Sequence, residues 1–145
     1  MIRPLRLSDL SAVMRIDQHT NTHAWNEQQW CDSLAQHRCF GLEHQAQLIG
    51  FAVCMVTLDE AELLLIAITP PLQGQAYGSV LFRALLNELA TDGVNKLFLE
   101  VRASNLSAQA FYQRHQMTLS GIRKGYYPID SGREDAQLYT LEGLA

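Results

Sequence analysis

Lysine is nearly missing from this chain. Only Lys96 and Lys124 occur among 145 residues, and the formal net charge is -4. A surface that tracks phosphates needs many cations, so direct nucleic-acid binding is disfavoured. The mild acidic balance would suit a basic peptide, and it equally suits ordinary solubility. Long apolar runs are missing too. The longest, around Leu63–Ile68, is strand-sized, and none is long enough to span a bilayer. The start, Met1-Ile2-Arg3-Pro4, carries no apolar signal core, so no export signal is expected. Cysteine is sparse: Cys31, Cys39 and Cys54 form no C-x-x-C pair, and their odd count argues against a disulfide framework. Reduced thiols in a cytoplasmic protein are the plain reading. There is no internal repeat, low-complexity segment or linker, and nothing selects an oligomeric state. What remains is a chain with 48% hydrophobic and 18% charged residues, which reads as one globular domain over residues 1–145.

Periodicity divides that domain into short elements. Ile2–Arg6 reads as a strand. Ser8 is placed to cap a helix carrying Leu10, Val13 and Ile16 at helical spacing. Asn26 with Gln29 has the pattern of a capping box, and Trp25 and Trp30 take the two positions of a hydrophobic staple. Strands are expected at Cys39–Glu43, Gln47–Leu58 and Glu60–Ile68, with a turn at His44-Gln45-Ala46. Thr69-Pro70-Pro71 ends the third, because proline cannot continue a central ladder. A helix from about Gly78 to Thr91 stacks Leu81, Leu85 and Leu89 on one stripe, and Asp92-Gly93 stops it. Lys96–Val101 is a strand, Ser104 or Asn105 can cap a short helix through His115, and Thr118–Tyr127 and Ala136–Leu141 are strands joined by a loop with Asp130-Ser131-Gly132. The order β-α-α-β-β-β-α-β-α-β-β predicts a mixed α/β (α+β) fold: a largely antiparallel sheet of six to seven strands flanked by about four helices.

The connection from Ile66-Ala67-Ile68 through Gly74 to Gly78-Ser79 runs from a strand, through a glycine-bearing loop, into a helix. A helix N-terminus offers unpaired N–H groups and partial positive charge, and small residues let backbone approach an anion closely. An ordinary strand-to-helix connection fits the spacing as well. The loop is neither a P-loop, since no Gly-Lys-Ser/Thr follows, nor the dinucleotide G-x-G-x-x-G.

Gln73-Gly74-Gln75-Ala76-Tyr77-Gly78 resembles the Q/R-x-x-G-x-G/A coenzyme-A loop of the GCN5-related N-acetyltransferase (GNAT) superfamily, with Ala76 where the first glycine is usual and Gly74 where a basic residue often stands. Leu99-Glu100-Val101-Arg102-Ala103-Ser104-Asn105, then Ala108, Phe111, Tyr112, Gly121, Arg123, Tyr126-Tyr127-Pro128 and Gly132-Arg133-Glu134-Asp135-Ala136, are similar to the ribosomal-protein-alanine N-acetyltransferase (RimI-type) subfamily. Ala24-Trp25-Asn26-Glu27 resembles that subfamily's proline-tryptophan-serine-glutamate stretch, so the resemblance covers nearly the whole chain. Gln116-Met117 departs from it, replacing a customary glycine-phenylalanine pair.

The resemblance implies an acetyl-CoA-dependent enzyme that acetylates a protein N-terminus, with the N-terminal alanine of small ribosomal subunit protein eighteen as leading acceptor. It implies backbone contacts from Ile66, Ala67 and Ile68 to the pantetheine arm and acetyl carbonyl. Amides of Gly74, Gln75, Ala76, Tyr77, Gly78 and Ser79 would hold the pyrophosphate, and Asn105 would contact the cofactor; Asn105 also fits a plain helix cap. Glu100 would be the general base, acting through water, and a solvated strand-end charge is its other reading. An α-amine has a pKa near ~8 against ~10.4 for lysine, a gap of about 3.4 kcal/mol, so a modest base suffices for an N-terminal acceptor. Tyr112 would be the general acid toward the leaving thiolate, or else a core aromatic. Tyr126 and Tyr127 would line the peptide slot or pack on a strand. Direct transfer in a ternary complex is expected, since no cysteine falls in the matched segments. His19 and His23 have i, i+4 spacing but no third ligand, so no metal is expected. If position 76 needs a left-handed backbone, alanine there costs roughly 1–2 kcal/mol. The same chemistry on another N-terminus, a lysine or a small amine is the alternative, as is a non-catalytic acyl-CoA-binding module.

Overall fold

The computed structural model describes residues 1–144, so the final residue of the expected 1–145 domain, Ala145, lies outside the described residues. Among the described residues seven strands form one sheet: β1 (Ile2–Pro4), β2 (Arg38–His44), β3 (Gln47–Thr57), β4 (Glu60–Ile68), β5 (Lys96–Arg102), β6 (Thr118–Ile129) and β7 (Gly132–Glu142). Their order is β1-β2-β3-β4-β5-β7-β6. All neighbours are antiparallel except β4 and β5, so the sheet is mixed and largely antiparallel, as expected. The helices are α1 (Leu10–Thr20), α2 (Glu27–Gln36), α3 (Tyr77–Thr91) and α4 (Leu106–Arg114).

Local chemistry explains where these elements start and stop. Asn26 Oδ1 accepts from the Gln29 amide at 2.8 Å, and Gln29 Oε1 accepts from the Asn26 amide at 2.9 Å, which closes the capping box of α2. The Trp25 and Trp30 rings meet at 5.1 Å, so the staple forms. On α3, Leu81, Leu85 and Leu89 are fully buried, each contributing about 1.5–3 kcal/mol. Gly93, at φ 84, turns the chain, and the Val94 amide donates back to the Leu89 carbonyl at 2.9 Å.

Three expectations shift. β1 stops at Pro4 rather than Arg6. Ser8 caps nothing; Leu7–Asp9 is a short 3-10 turn in which the Asp9 carboxylate accepts from the Arg6 amide at 2.8 Å and from Arg3 at 2.9 Å. The Arg3 guanidinium holds the Asp9 carboxyl below its usual range. β6 and β7 run longer than expected because they pair with each other up to a tight turn at Asp130-Ser131.

Two apolar clusters pack on the sheet. One joins Leu81, Phe82, Leu85 and Tyr112 to Leu97, Leu99 and Val101; the other joins Val13, Ile16 and Trp30 to Phe51 and Val53. Cys54 is a core residue, fully buried, with its thiol pushed up to about 12 by burial. α1 ends at Thr20, so His19 and His23 do not share a helical face. Among the described residues no helix is long and apolar enough to cross a membrane.

Candidate active site

The site begins where two strands stop pairing. β4 and β5 are joined only from Glu60–Glu62 to Lys96–Phe98. Beyond that point β4 stays with β3, and β5 stays with β7. A bulge helps to part them: Cys54 pairs with Leu63 and Val53 with Leu65, so Leu64 is the extra residue on β4. Bulges add local twist and bend the strand that carries them. The edge of β4 from Leu63 to Ile68 therefore has no strand beside it, and its free backbone groups need other partners. A cleft of about 970 Å³ opens along this seam, lined by Ile66, Ala67 and Ile68 on one side and Glu100 and Arg102 on the other.

At the end of the seam the loop into α3 closes the cleft. Gln73 Nε2 donates to the Ile68 carbonyl at 2.9 Å, tying the loop to the strand end. Gly74 (φ 78) and Ala76 (φ 69) are both left-handed, so the strain expected of alanine at position 76 is present. Ala76 is the N-cap of α3 and provides no side-chain cap, which leaves the first amides of the helix without a capping acceptor. A Cβ at Gly74 would meet nothing within 4 Å, whereas a Cβ at Gly78 would sit 3.4 Å from Phe111 and 4.0 Å from Ile68. The bare backbone, uncapped amides and adjoining strand edge form a donor set that fits a pyrophosphate followed by an amide-bearing arm. Gly74, Ala76, Gly78 and Ser79 line the cleft, while Gln75 and Tyr77 line a separate hollow on the other side, where Tyr77 Oη lies 3.3 Å from His44 Nε2. Ser79 Oγ is 2.9 Å from Nε2 of His115.

α4 supplies the next wall. Asn105 caps it, its Oδ1 accepting from the Ala108 amide at 3.2 Å, and also lines the cleft. Tyr112 is buried beside Phe82, Phe111 and Tyr139 and still reaches the cleft. Burial pushes its phenol well above the ordinary value, and Cys54 adds to the effect. Tyr112 therefore stays protonated and available as a donor.

Alternation along β5 settles which face Glu100 takes. Leu97, Leu99 and Val101 are buried with α3 and α4, so Phe98, Glu100 and Arg102 project from the opposite face. Glu100 and Tyr112 thus lie on opposite faces of one strand, and both line the cleft. Glu100 Oε1 is 3.1 Å from Arg123 Nε of β6. Tyr127 lines the same cleft, with the Arg102 guanidinium 4.2 Å over its ring. Tyr126 is exposed and lies against Tyr127 and Arg123.

This cleft has known counterparts. Residues 5–117 match the acetyltransferase (GNAT) family. The chain belongs to the GNAT acetyltransferase family. It is 38% identical to the [ribosomal protein bS18]-alanine N-acetyltransferase of Escherichia coli strain K12, over 97% of this chain and 95% of that one. The same enzyme of Haemophilus ducreyi is 34% identical, over 97% and 99%. The crystal structure of the ribosomal-protein-S18-alanine N-acetyltransferase from Escherichia coli superposes with a TM-score of 0.90 at 37% identity, covering 98% of this chain and 92% of that one.

As a GNAT acetyltransferase, the chain is an acetyl-CoA-dependent N-acetyltransferase, and several residues in and around its cleft escape sequence reasoning. Asp17, 1% exposed, accepts from the Trp25 amide and from Trp30 Nε1, both at 2.9 Å, and lines the cleft with Thr20 and Asn21. In the sequence it reads as one more polar residue on an amphipathic helix. Glu62 pairs in register with Phe98, which sets it on the Glu100 face. Burial raises its carboxyl above the usual range, the charge of Glu100 adds to this, and Arg123 opposes it. The Gly-Arg-Glu-Asp-Ala segment acts structurally. Glu134 bridges Arg102 at 3.0 Å and the Ser104 amide at 3.2 Å, Asp135 accepts from the Gly125 amide at 2.9 Å, and Arg133 donates to the Gly125 carbonyl. The last two bonds hold the bulge of β6 at Gly125, between Arg123 and Tyr127. Among the described residues no three His, Cys, Asp or Glu side chains are grouped to hold a metal.

Proposed function

We propose that the chain acetylates the N-terminal alanine of ribosomal protein bS18, by direct attack of the α-amine on acetyl-CoA. The observation that carries this reading is the seam between β4 and β5, with a carboxylate on one face and a buried phenol on the other. The relatives in Escherichia coli and Haemophilus ducreyi are named for that acceptor. Free thiols at Cys31, Cys39 and Cys54 suit the cytoplasm, where we place the reaction.

Acetyl-CoA supplies the acetyl group as a thioester, already activated toward amines. The protein's part is to hold and to move protons. Amides of Gly74 through Ser79 would take the pyrophosphate, the open edge at Ile66, Ala67 and Ile68 the pantetheine arm, and Asn105 a further polar contact. Glu100 would receive the proton of the α-ammonium, directly or through one water. An N-terminal acceptor is ~2.5 pK units easier to deprotonate than lysine, which suits a lone carboxylate. Tyr112 Oη would donate to the leaving sulfur. Its upward-shifted phenol keeps the proton in place until charge develops there, so hydrogen-bond donation is the contribution that burial favours.

Mass spectrometry of a peptide with the bS18 N-terminus, incubated with enzyme and acetyl-CoA, tests the acceptor. A gain of one acetyl on the α-amine is expected. Acetylation of a lysine or of a small amine, with that peptide unmodified, would sink the assignment.

A further inference from the structure

We propose that Arg123 is a placeholder cation: it occupies the Glu100 carboxylate while no acceptor is bound and yields that oxygen to the positively charged ammonium of the incoming N-terminus. The inference rests on the reading of Glu100 as the group that receives the acceptor's proton.

The two partners are unequally fixed. Glu100 is 14% exposed at its side chain, whereas Arg123 is 59% exposed. An ion pair with one partner so far in water is worth no more than about a five-fold preference, so its exchange for another cation is easy. Only the side chain has to move. Arg123 is the last β6 residue in register with β7 before a shift that leaves Lys124, Gly125 and Tyr126 out of the ladder, and Arg133 and Asp135 fasten that bulge at Gly125. The guanidinium also lies 5.2 Å from the Tyr126 ring centre, a contact that does not depend on the carboxylate.

The surrounding charges favour a cation in its place. Glu62 of β4 adds a second carboxylate to the Glu100 corner. Arg102 of β5 is engaged by Glu134 of β7 and by the Tyr127 ring of β6, so it is not free to compensate. With Arg123 displaced, the Glu100 carboxylate loses its cation, and Glu62 on the same face of the sheet adds negative charge nearby. An ammonium group replaces that cation; an uncharged or already acetylated terminus does not. The corner thus prefers the charged substrate over the neutral product.

The test compares wild type with Arg123→Gln and Arg123→Lys, using a short alanine-starting peptide and the same peptide carrying an N-terminal acetyl group. Steady-state kinetics give KM for the free amine, and inhibition gives the affinity of the acetylated form. In Arg123→Gln, KM for the free amine falls by about two- to five-fold, the range an exposed ion pair spans. The affinity of the acetylated peptide stays unchanged, and Arg123→Lys returns KM toward wild type. A higher or unchanged KM, or a parallel shift for both peptides, overturns the proposal by showing that Arg123 merely shapes the slot. Glu100→Gln is measured alongside. If it lowers kcat while Arg123→Gln gives an overturning result, the base assignment survives and the placeholder falls; if it turns over like wild type, both fall.

Discussion

Replacing Ala76 with glycine should make this protein more stable. Ala76 has φ 69 and ψ 6, the left-handed region. An L-residue there costs roughly 1–2 kcal/mol. Glycine removes that strain but loses more backbone freedom on folding, about 0.4–1 kcal/mol. Glycine is also the better residue at an N-cap that lacks a side-chain acceptor. The balance favours Ala76→Gly by about 0.5–1 kcal/mol, or roughly 2–4 °C in Tm for a chain of this length. Scanning calorimetry without acetyl-CoA measures it. Gly93→Ala is the mirror control: Gly93 sits at φ 84, and an added Cβ would meet nothing within 4 Å, so only the backbone term acts. It should lose about 1 kcal/mol. If Gly93→Ala destabilises as stated and Ala76→Gly gains nothing, position 76 is not left-handed in solution.

Further outcomes follow from the same contacts. Tyr112→Phe should lower kcat by about a hundred-fold or more while leaving Tm nearly unchanged, and a normal rate in a peptide assay would remove its donor role. Asp17→Ala strips the acceptor from two inward-facing donors, the Trp25 amide and the Trp30 indole, and should cost about 2–4 kcal/mol in urea unfolding. Asp17→Asn, which keeps one oxygen, should cost clearly less; equal losses would refute the hydrogen-bond account. His115 is held neutral by burial first and by Arg83 and Arg114 next, so its folded pKa lies below the ordinary value. The stability gained from this is fully present above about pH 6.5 and is lost as pH falls through the lowered folded value. His115→Phe should therefore lose less Tm than wild type between pH 7.5 and pH 5, and identical losses would count against it.

Most elements were legible because their signals are local. The α2 capping box, the leucine stripe of α3 and the stop at Gly93 each lie within a few residues of one another. The 3-10 turn at Leu7–Asp9 was hidden because Asp9 answers to Arg3, a strand residue. Distance in sequence hid more of the site. The seam depends on β4 and β5 parting after three residue pairs, and no periodicity records that. Glu62 and Arg123 gain their surroundings from strands far along the chain, and Asp17 gains its own from Trp25 and the following helix. Position 76 is the intermediate case: the sequence raised a conditional cost, and the backbone supplied the condition.

A sheet that unzips halfway is an unfinished sheet. Whatever lies along the bare margin of β4 completes its hydrogen bonding and becomes, for as long as it stays, a temporary strand. Heat resistance should then climb with the logarithm of ligand concentration. The Thr69 amide donates to the Ile49 carbonyl of β3, so by alternation the amides of Ile66 and Ile68 face the gap; these two should exchange with deuterium quickly in the bare protein and slowly once the gap is filled.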